Sequence, residues 1–118
     1  MTIEEFFGSQ HEPRAIYEEI AIKVAALGDS EVRVSKSQIA FRWRENFAIV
    51  WMPRQYLRGK GAPLVLTLSF PAANPSPRWK EIVEVAPGRF THHLELWKPS
   101  DVDAEVLEWL RQTRESSK

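Results

Sequence analysis

Apolar and polar residues alternate along the middle and the later part of the chain. Gln38–Arg44 follows this period of two, and so do Leu64–Phe70 and Phe90–Trp97. Such alternation is typical of a strand with one buried face and one solvated face. The run Phe47–Met52 is apolar throughout, which predicts a central strand covered on both sides. We therefore expect an antiparallel sheet built around Val32–Met52.

Short polar segments divide this region into separate strands. Ser35-Lys36-Ser37 and Glu45-Asn46 carry residues that tight turns favour, and Pro87-Gly88 does the same before the last strand. Glu81–Val85 is a further, short candidate strand. The pattern predicts four or five antiparallel strands, with a cationic loop at residues 53–63 and a proline-rich connection at residues 71–77.

Helical periodicity is found only towards the two ends of the chain. Thr2 and Glu5 form a capping-box pattern, which predicts a short first helical turn. Pro13–Leu27 then places its apolar residues on one helical stripe. A last helix is predicted to begin after Ser100, its cap. The apolar stripe of that helix consists of Val102, Val106, Trp109 and Leu110.

The fold class that follows is α+β, with an N-terminal helix, a four- to five-stranded antiparallel sheet and a C-terminal helix. Two helices cannot cover both faces of such a sheet, so we expect them to pack on one face. The other face would then meet solvent. Alternation assigns to that face Arg42, Arg44, Thr67, Ser69, His93 and Glu95, beside Trp97.

The composition is that of an ordinary globular protein, with 43% hydrophobic and 27% charged residues. A length of 118 residues is typical of one domain, and we expect residues 1–118 to form a single one. No apolar run reaches the roughly 20 residues of a membrane helix, and the acidic segment Met1–Phe7 is unlike a signal peptide. The absence of cysteine excludes disulfides and thiolate chemistry. We expect a cytoplasmic protein with no membrane partner.

The net charge is zero, but the charges are segregated along the chain. Residues 31–60 contain seven basic and two acidic residues, a net charge of +5, whereas residues 1–30 have a net charge of −4. Such segregation bears on surface potential and on partners. It favours an anionic ligand or partner at the sheet and at the loop of residues 53–63.

Two adjacent histidines, His92 and His93, are the most prominent candidates for chemistry. Neighbours on a strand point to opposite faces, so the pair is a poor metal site, and we predict no metal. His92 falls on the apolar side and is expected to be a hydrogen-bonded core residue. His93 and Glu95 share the polar side, where a surface ion pair is favoured over an acid–base pair. We predict no catalytic residue and no cofactor.

The residues expected to bind a ligand are polar or charged and are assigned to this face or its surroundings. They are Lys36, Gln38, Arg42, Arg44, Arg78, His93 and Glu95. The preferred function is a non-enzymatic binding or protein-interaction module for an anionic small molecule or a partner protein, acting as a monomer or a weak homodimer. The alternative is a protein associated with single-stranded nucleic acid, whose bases stack on aromatic rings. A pI near 6.8 disfavours that alternative, and an enzyme using His93 and Glu95 is the least favoured hypothesis.

Several segments carry a resemblance to a known family. They include T-I-E-E-F-F at Thr2–Phe7, S-K-S-Q-I at Ser35–Ile39, S-P-R-W-K-E-I-V-E at Ser76–Glu84 and H-H-L-E-L at His92–Leu96. In these segments the chain resembles a bacterial family of small uncharacterised single-domain proteins, some of whose relatives are labelled only as predicted transport proteins. The resemblance implies a single-domain α+β protein without an assigned activity, and it carries over no catalytic residue.

Overall fold

The computed structural model describes residues 1–56 and 61–118, and within them the predicted α+β class is confirmed. The helices are α1 (Ile3–Phe7), α2 (His11–Leu27) and α3 (Ala104–Glu115). The strands are β1 (Glu31–Val34), β2 (Ile39–Arg42), β3 (Asn46–Trp51), β4 (Leu64–Phe70), β5 (Glu81–Ala86) and β6 (Arg89–Leu96). Short 3-10 turns lie at Pro53–Gln55 and Pro99–Asp101. In the described part of the chain, every helix is too short or too polar to cross a membrane.

The strands form one antiparallel sheet in the order β1-β2-β3-β4-β6-β5. Its six strands correct the predicted four or five. The extra strand was hard to predict because β1 and β5 lie at the edges of the sheet, where each has one strand neighbour and few buried side chains. A strand that is exposed on most of its surface has little apolar alternation to reveal it.

The connection between β4 and β5 passes over β6, because β6 lies between those two strands. It crosses on the helix side of the sheet. Trp79, in this connection, packs against Trp109 of α3 with ring centroids 4.3 Å apart and against His92 of β6 at 4.8 Å. The connection therefore adds aromatic side chains to the core that the helices form with the sheet.

Helices α2 and α3 pack on one face of the sheet, as predicted. Their apolar stripes are buried, with Ile16, Ile20, Val24, Val106, Trp109 and Leu110 each at most 4% exposed. The row of cross-strand partners beneath them, Ile39, Val50, Leu66 and Leu94, is also buried. Burying such a side chain contributes about 1.5–3 kcal/mol of folding free energy relative to leaving it exposed. Most of the core thus lies between the helices and this covered face, and Ala40 and Val65 are buried on the opposite face.

Helix boundaries agree with the prediction at the first helix and differ at the last. The capping box of α1 is present, because the Thr2 hydroxyl accepts from the Glu5 N–H and the Glu5 carboxylate accepts from the Thr2 N–H. Ser100 does not cap the last helix. Asp103 does, accepting from the Val106 N–H at 3.1 Å, while Pro99–Asp101 forms a separate 3-10 turn. A carboxylate at this position also interacts favourably with the positive end of the helix.

The alternation predicted a strand as far as Arg44, but β2 ends at Arg42. Trp43 lies in the turn before β3, and its ring is stacked between the guanidinium groups of Arg44 and Arg114, 4.2 and 4.3 Å from the ring centroid. The turn is fixed by the buried hydroxyl of Ser117, which accepts from the Glu45 N–H at 2.7 Å. The Trp43 ring therefore packs against two cations and is exposed outside the core.

Candidate functional site

The face of the sheet opposite the helices, which we call the open face, carries the polar side chains of β4 and β6. Thr67 is partly exposed between the buried Leu66 and Leu68 of β4, and His93 is partly exposed between the buried His92 and Leu94 of β6. Pairing between strands aligns one row of side chains across this face: Ala40, Ile49, Thr67, His93 and Glu81. This row is the centre of the surface that the helices leave uncovered.

A cleft of about 240 Å³ opens on this face beside the end of β3. It is lined by Ser37, Gln38, Ile49, Trp51, Tyr56, Thr67 and His93, and we call it the aromatic cleft. The Trp51 ring lies 6.1 Å from the His93 ring, almost perpendicular to it, and 6.3 Å from the Tyr56 ring. Tyr56 is 58% exposed. A planar group entering from solvent would therefore meet aromatic surface on more than one side.

A short hydrogen-bond chain fixes the floor of the aromatic cleft. The Trp51 indole N–H donates to the Thr67 hydroxyl at 3.0 Å, and this hydroxyl shares a second hydrogen bond with His93 Nδ1 at 2.8 Å. An indole N–H can only donate, so the direction of the first bond is fixed. The chain joins β3, β4 and β6 and holds the imidazole ring in place. His93 Nε2 has no hydrogen-bond partner among the described residues and is available to a ligand.

The predicted pairing of His93 with Glu95 is not present as a hydrogen bond or ion pair within the described residues. His93 bonds to Thr67 on β4, and Glu95 lies opposite Val65, outside the lining of the aromatic cleft. The two side chains share the open face as expected for alternate residues of one strand. The geometry gives no specific support to an acid–base unit made of these two residues.

A second depression, of about 350 Å³, continues the open face towards the start of β3 and β6. It shares Ile49 and Thr67 with the aromatic cleft, so the two adjoin. Arg89 is the one charged residue among its described lining, and we call it the arginine trough. Its polar side chains are those of Asn46, Thr67, Ser69 and Thr91. A guanidinium surrounded by hydroxyl and amide groups is a suitable environment for an anion.

The groove formed by the aromatic cleft and the arginine trough runs parallel to the strands. His93 and Arg89 mark its two ends on β6, four residues apart. At the rise of an antiparallel strand this separation is roughly 13 Å. The groove therefore presents flat aromatic surface at one end and a cation at the other.

Charges beside the groove are unevenly distributed. Lys36 is exposed on the β1–β2 turn next to Ser37 and Gln38 of the cleft, and Arg42 pairs in register with Asn46 of the trough. Glu81 lies directly across from His93 on the neighbouring strand. Opposite charges therefore flank the aromatic end. The other end has the cations Arg42 and Arg89 and one carboxylate, Glu45, in a neighbouring cavity that Arg89 also lines.

The structure brings some of the predicted binding residues together and separates others. Gln38 and His93 line the aromatic cleft, and Lys36 and Arg42 lie beside the groove. Arg44 is in the turn after β2, with its guanidinium over the Trp43 ring. Glu95 is on the open face but outside both depressions. Their roles in binding stay predictions.

Arg78 lies away from this set, against α3. Its guanidinium donates to Asp103 and Glu105 at 3.1 and 2.8 Å and to the Asp101 carbonyl at 3.0 Å. Partial burial tends to raise the pKa of Asp103, but hydrogen bonds from the Val106 N–H and from Arg78 hold that pKa below its usual value. Arg78 thus joins the segment between β4 and β5 to α3. Its positive charge is already offset by two carboxylates, so it is poorly placed to bind an anionic ligand.

The predicted cationic loop of residues 53–63 is only partly described, since Arg58 and Lys60 lie outside the described residues. Arg54 donates to the Gly61 carbonyl at 3.1 Å and forms an ion pair with Glu12 of α2 at 3.4 Å. One cation of this loop is therefore matched by an acidic helix.

The sequence pattern does not indicate the aromatic side chains of the cleft or the arginine of the trough. Trp51 lay in an apolar run that predicted complete burial, and Tyr56 lay in a loop without a pattern. Arg89 lay in a predicted turn. These residues are brought together by the register between strands. That register joins positions far apart in the chain and cannot be deduced from one sequence.

His92 has the structural role predicted for it. It is fully buried, its Nε2 accepts from the Asn74 N–H at 2.9 Å, and its Nδ1–H donates to the Phe90 carbonyl at 2.9 Å. These two partners define a neutral imidazole protonated on Nδ1. Burial lowers the pKa of His92, against the opposing effect of the Phe90 carbonyl.

One comparison with known proteins identifies a relationship. The family model described as a domain of unknown function, DUF5655, matches residues 3–115. This match spans nearly the whole chain and agrees with the resemblance to a small single-domain family of unknown function. No curated protein and no solved structure matches the chain.

Proposed function

Because the chain belongs to the DUF5655 family, whose function is unknown, we propose a function from its open face: it is a non-enzymatic binding module that holds a small anionic ligand in the groove. The observation that carries the proposal is the union of the aromatic cleft and the arginine trough on a sheet face without helices. Ligand sites are typically concave and largely apolar, with a few polar groups that fix orientation. A bacterial, cytoplasmic setting is part of the same proposal.

Fixed geometry favours binding by this groove. Trp51, Thr67 and His93 are held by their mutual hydrogen bonds before any ligand arrives. Preorganised groups lose less conformational entropy on binding than mobile ones. Arg89 forms no ion pair with any carboxylate in the described ranges, so an anion need not displace one.

The test uses 8-anilinonaphthalene-1-sulfonate, a probe that combines flat aromatic rings with one anionic group. We expect saturable binding at a single site, with a shift of the Trp51 indole N–H resonance in NMR spectra. Tyr56→Ala should weaken binding several-fold because it removes a ring, whereas Arg89→Gln should weaken it less, because the sulfonate is attached directly to the rings and is attracted to the guanidinium only across the groove. Arg111→Gln is the matched control, since Arg111 lies on α3 and pairs with Glu108 and Glu115. Binding that neither groove variant weakens would refute the proposal.

Single-stranded nucleic acid is the second candidate. The specific observation that favours it is a further exposed aromatic residue besides Tyr56, Trp97, which is 53% exposed and follows β6 directly. Several rings along one surface are typical of proteins on which successive bases stack. A fluorescence titration with labelled single strands at two salt concentrations tests it. Affinity that falls steeply with salt would support this candidate, and no signal at micromolar protein would exclude it.

A further inference from the structure

We propose that the groove recognises a nucleotide with two or more phosphates, its base in the aromatic cleft and its phosphates at Arg89. This inference rests on the proposed function and names the chemical class of the ligand. It follows from the order of groups along the groove: aromatic rings, then hydroxyls, then a guanidinium. A nucleotide has a matching order of planar base, hydroxyl-bearing sugar and anion.

The aromatic cleft suits a polar heterocycle better than a hydrocarbon ring. Trp51 and Tyr56 offer flat surface, and Gln38, Ser37 and His93 Nε2 add hydrogen-bonding groups at its margin. A hydrocarbon ring in this cleft would cover those polar groups without giving them partners, which costs free energy. A base would satisfy them through its edge while its face stacks on an aromatic ring.

The orientation follows from charge. Glu81, paired across from His93, disfavours phosphate at the aromatic end. Arg89 with Ser69 and Thr91 provides a cation and two hydroxyls at the opposite end, and Arg42 lies beside that end. A guanidinium can bind phosphate oxygens through two parallel hydrogen bonds.

The length of the groove explains why more than one phosphate is needed. The Cα atom of Arg89 lies roughly 13 Å along β6 from that of His93 at the rise of an antiparallel strand. Across that separation a base held in the cleft is joined to Arg89 through a sugar and an extended phosphate chain. A nucleoside fills only the aromatic end, and a monophosphate leaves Arg89 at a distance.

The experiment measures Kd by calorimetry for adenosine, AMP, ADP, ATP and inorganic pyrophosphate, each without divalent metal. We expect adenosine and pyrophosphate to bind weakly, and the largest gain in affinity to come with the second or third phosphate. Arg89→Gln should weaken ADP and ATP binding about tenfold, the loss of one charge-assisted contact, and leave adenosine unchanged. Tyr56→Ala should weaken every base-containing ligand, whereas Arg111→Gln should change none.

The outcomes separate this inference from the proposed function. If the sulfonate probe binds in the groove but no nucleotide does, the nucleotide assignment is wrong and the binding module stands. If pyrophosphate binds as tightly as ATP, the base is not recognised and the assignment is again wrong. A labelled oligonucleotide that binds far more tightly than ATP, with a strong dependence on salt, would replace the nucleotide with single-stranded nucleic acid. If neither the probe nor any of these ligands binds, both proposals fail.

Discussion

Adjacent histidines on β6 lie in opposite environments. His92 is fully buried on the covered face, and both of its ring nitrogens have protein partners, the Asn74 N–H and the Phe90 carbonyl. His93 is partly exposed on the open face, and within residues 1–56 and 61–118 its one hydrogen-bonded ring nitrogen is Nδ1, bonded to Thr67. The comparison shows how one strand gives the same residue type a structural role on one side and an available nitrogen on the other.

The partners of His92 make it part of the tertiary structure. Asn74 belongs to the proline-rich connection, and its side-chain oxygen accepts from the Trp79 indole at 3.1 Å and from the Ser76 N–H at 3.0 Å. His92 therefore anchors the connection that passes over β6. We expect the covered face to respond to substitution with a loss of stability, and the open face with a loss of binding.

The largest predicted effect separates the two histidines directly. His92→Ala removes a buried ring and leaves a backbone N–H and a carbonyl without their partners, so the free energy of unfolding should fall by about 2–4 kcal/mol. His93→Ala, one residue away, should cost less than about 1 kcal/mol because its side chain is partly exposed. Urea denaturation of both variants measures the difference.

A third variant distinguishes volume from hydrogen bonding at the same position. His92→Phe fills the space with a ring but still leaves the Asn74 N–H unpaired, so it should recover only part of the stability lost in His92→Ala. Equal stability of the two alanine variants would show that the faces do not differ in the way proposed here.

The pH dependence of stability should carry the signature of His92. In the unfolded chain this imidazole takes up a proton near its ordinary pKa of 6.5, whereas burial lowers its pKa in the folded state. The unfolded state then binds more protons below pH 6.5, so stability falls as the pH drops through that value towards the folded pKa. The loss is at most about 1.4 kcal/mol per pH unit for one group.

Urea midpoints at pH 7.5 and pH 5 measure this effect. The difference between the two should shrink in His92→Phe and persist in His93→Gln, which keeps the buried imidazole. A pH dependence that is the same in His92→Phe and in the unsubstituted protein would assign it to other groups, and the comparison would lose its electrostatic basis.

Arginines also differ between a bridging and a local role. Arg78 joins the β4–β5 connection to Asp103 and Glu105, whereas the ion pairs of Arg111 in the described part of the chain are with Glu108 and Glu115 on its own helix. Arg78→Ala should therefore destabilise by about 1 kcal/mol and Arg111→Ala by less than about 0.5 kcal/mol. Thermal unfolding of both variants tests the order, and a reversed order would mean that Arg78 is not part of the fold's support.

Much of the fold could be predicted because each element depends on local signals. Leu64–Phe70 has an apolar residue at every second position and forms β4 with those bounds, and the Thr2–Glu5 pattern gives the predicted capping box. Prediction failed where an apolar residue lies outside the core or where a strand is mostly exposed. Trp43 extended the alternation of β2 although it stacks between arginines, and the exposed β1 and β5 gave weak patterns.

The candidate site was less predictable than the fold. Alternation assigned Thr67 and His93 to one face, but their hydrogen bond depends on the pairing of β4 with β6. Trp51 joins them diagonally from β3, and Arg89 reaches the groove from a strand end. Charge segregation along the sequence pointed to residues 31–60, whereas Arg89 lies outside that segment. A groove assembled from three strands requires register, which one sequence does not contain.

The smallest predicted effect tests whether the floor of the aromatic cleft is separate from the core. Thr67→Val keeps the shape of the side chain but removes the hydroxyl that joins Trp51 to His93. Because both freed groups lie at the solvated face, water can replace the hydroxyl, and the loss of stability should be about 0.5–1 kcal/mol. The indole N–H resonance of Trp51 should shift, and so should the ring nitrogen resonances of His93. Ser69→Ala, one position along the same face, should leave those resonances unchanged. If Thr67→Val instead lowers the free energy of unfolding as much as His92→Ala does, the open face stabilises the fold as strongly as the covered face. The groove then has a structural role in place of a binding role.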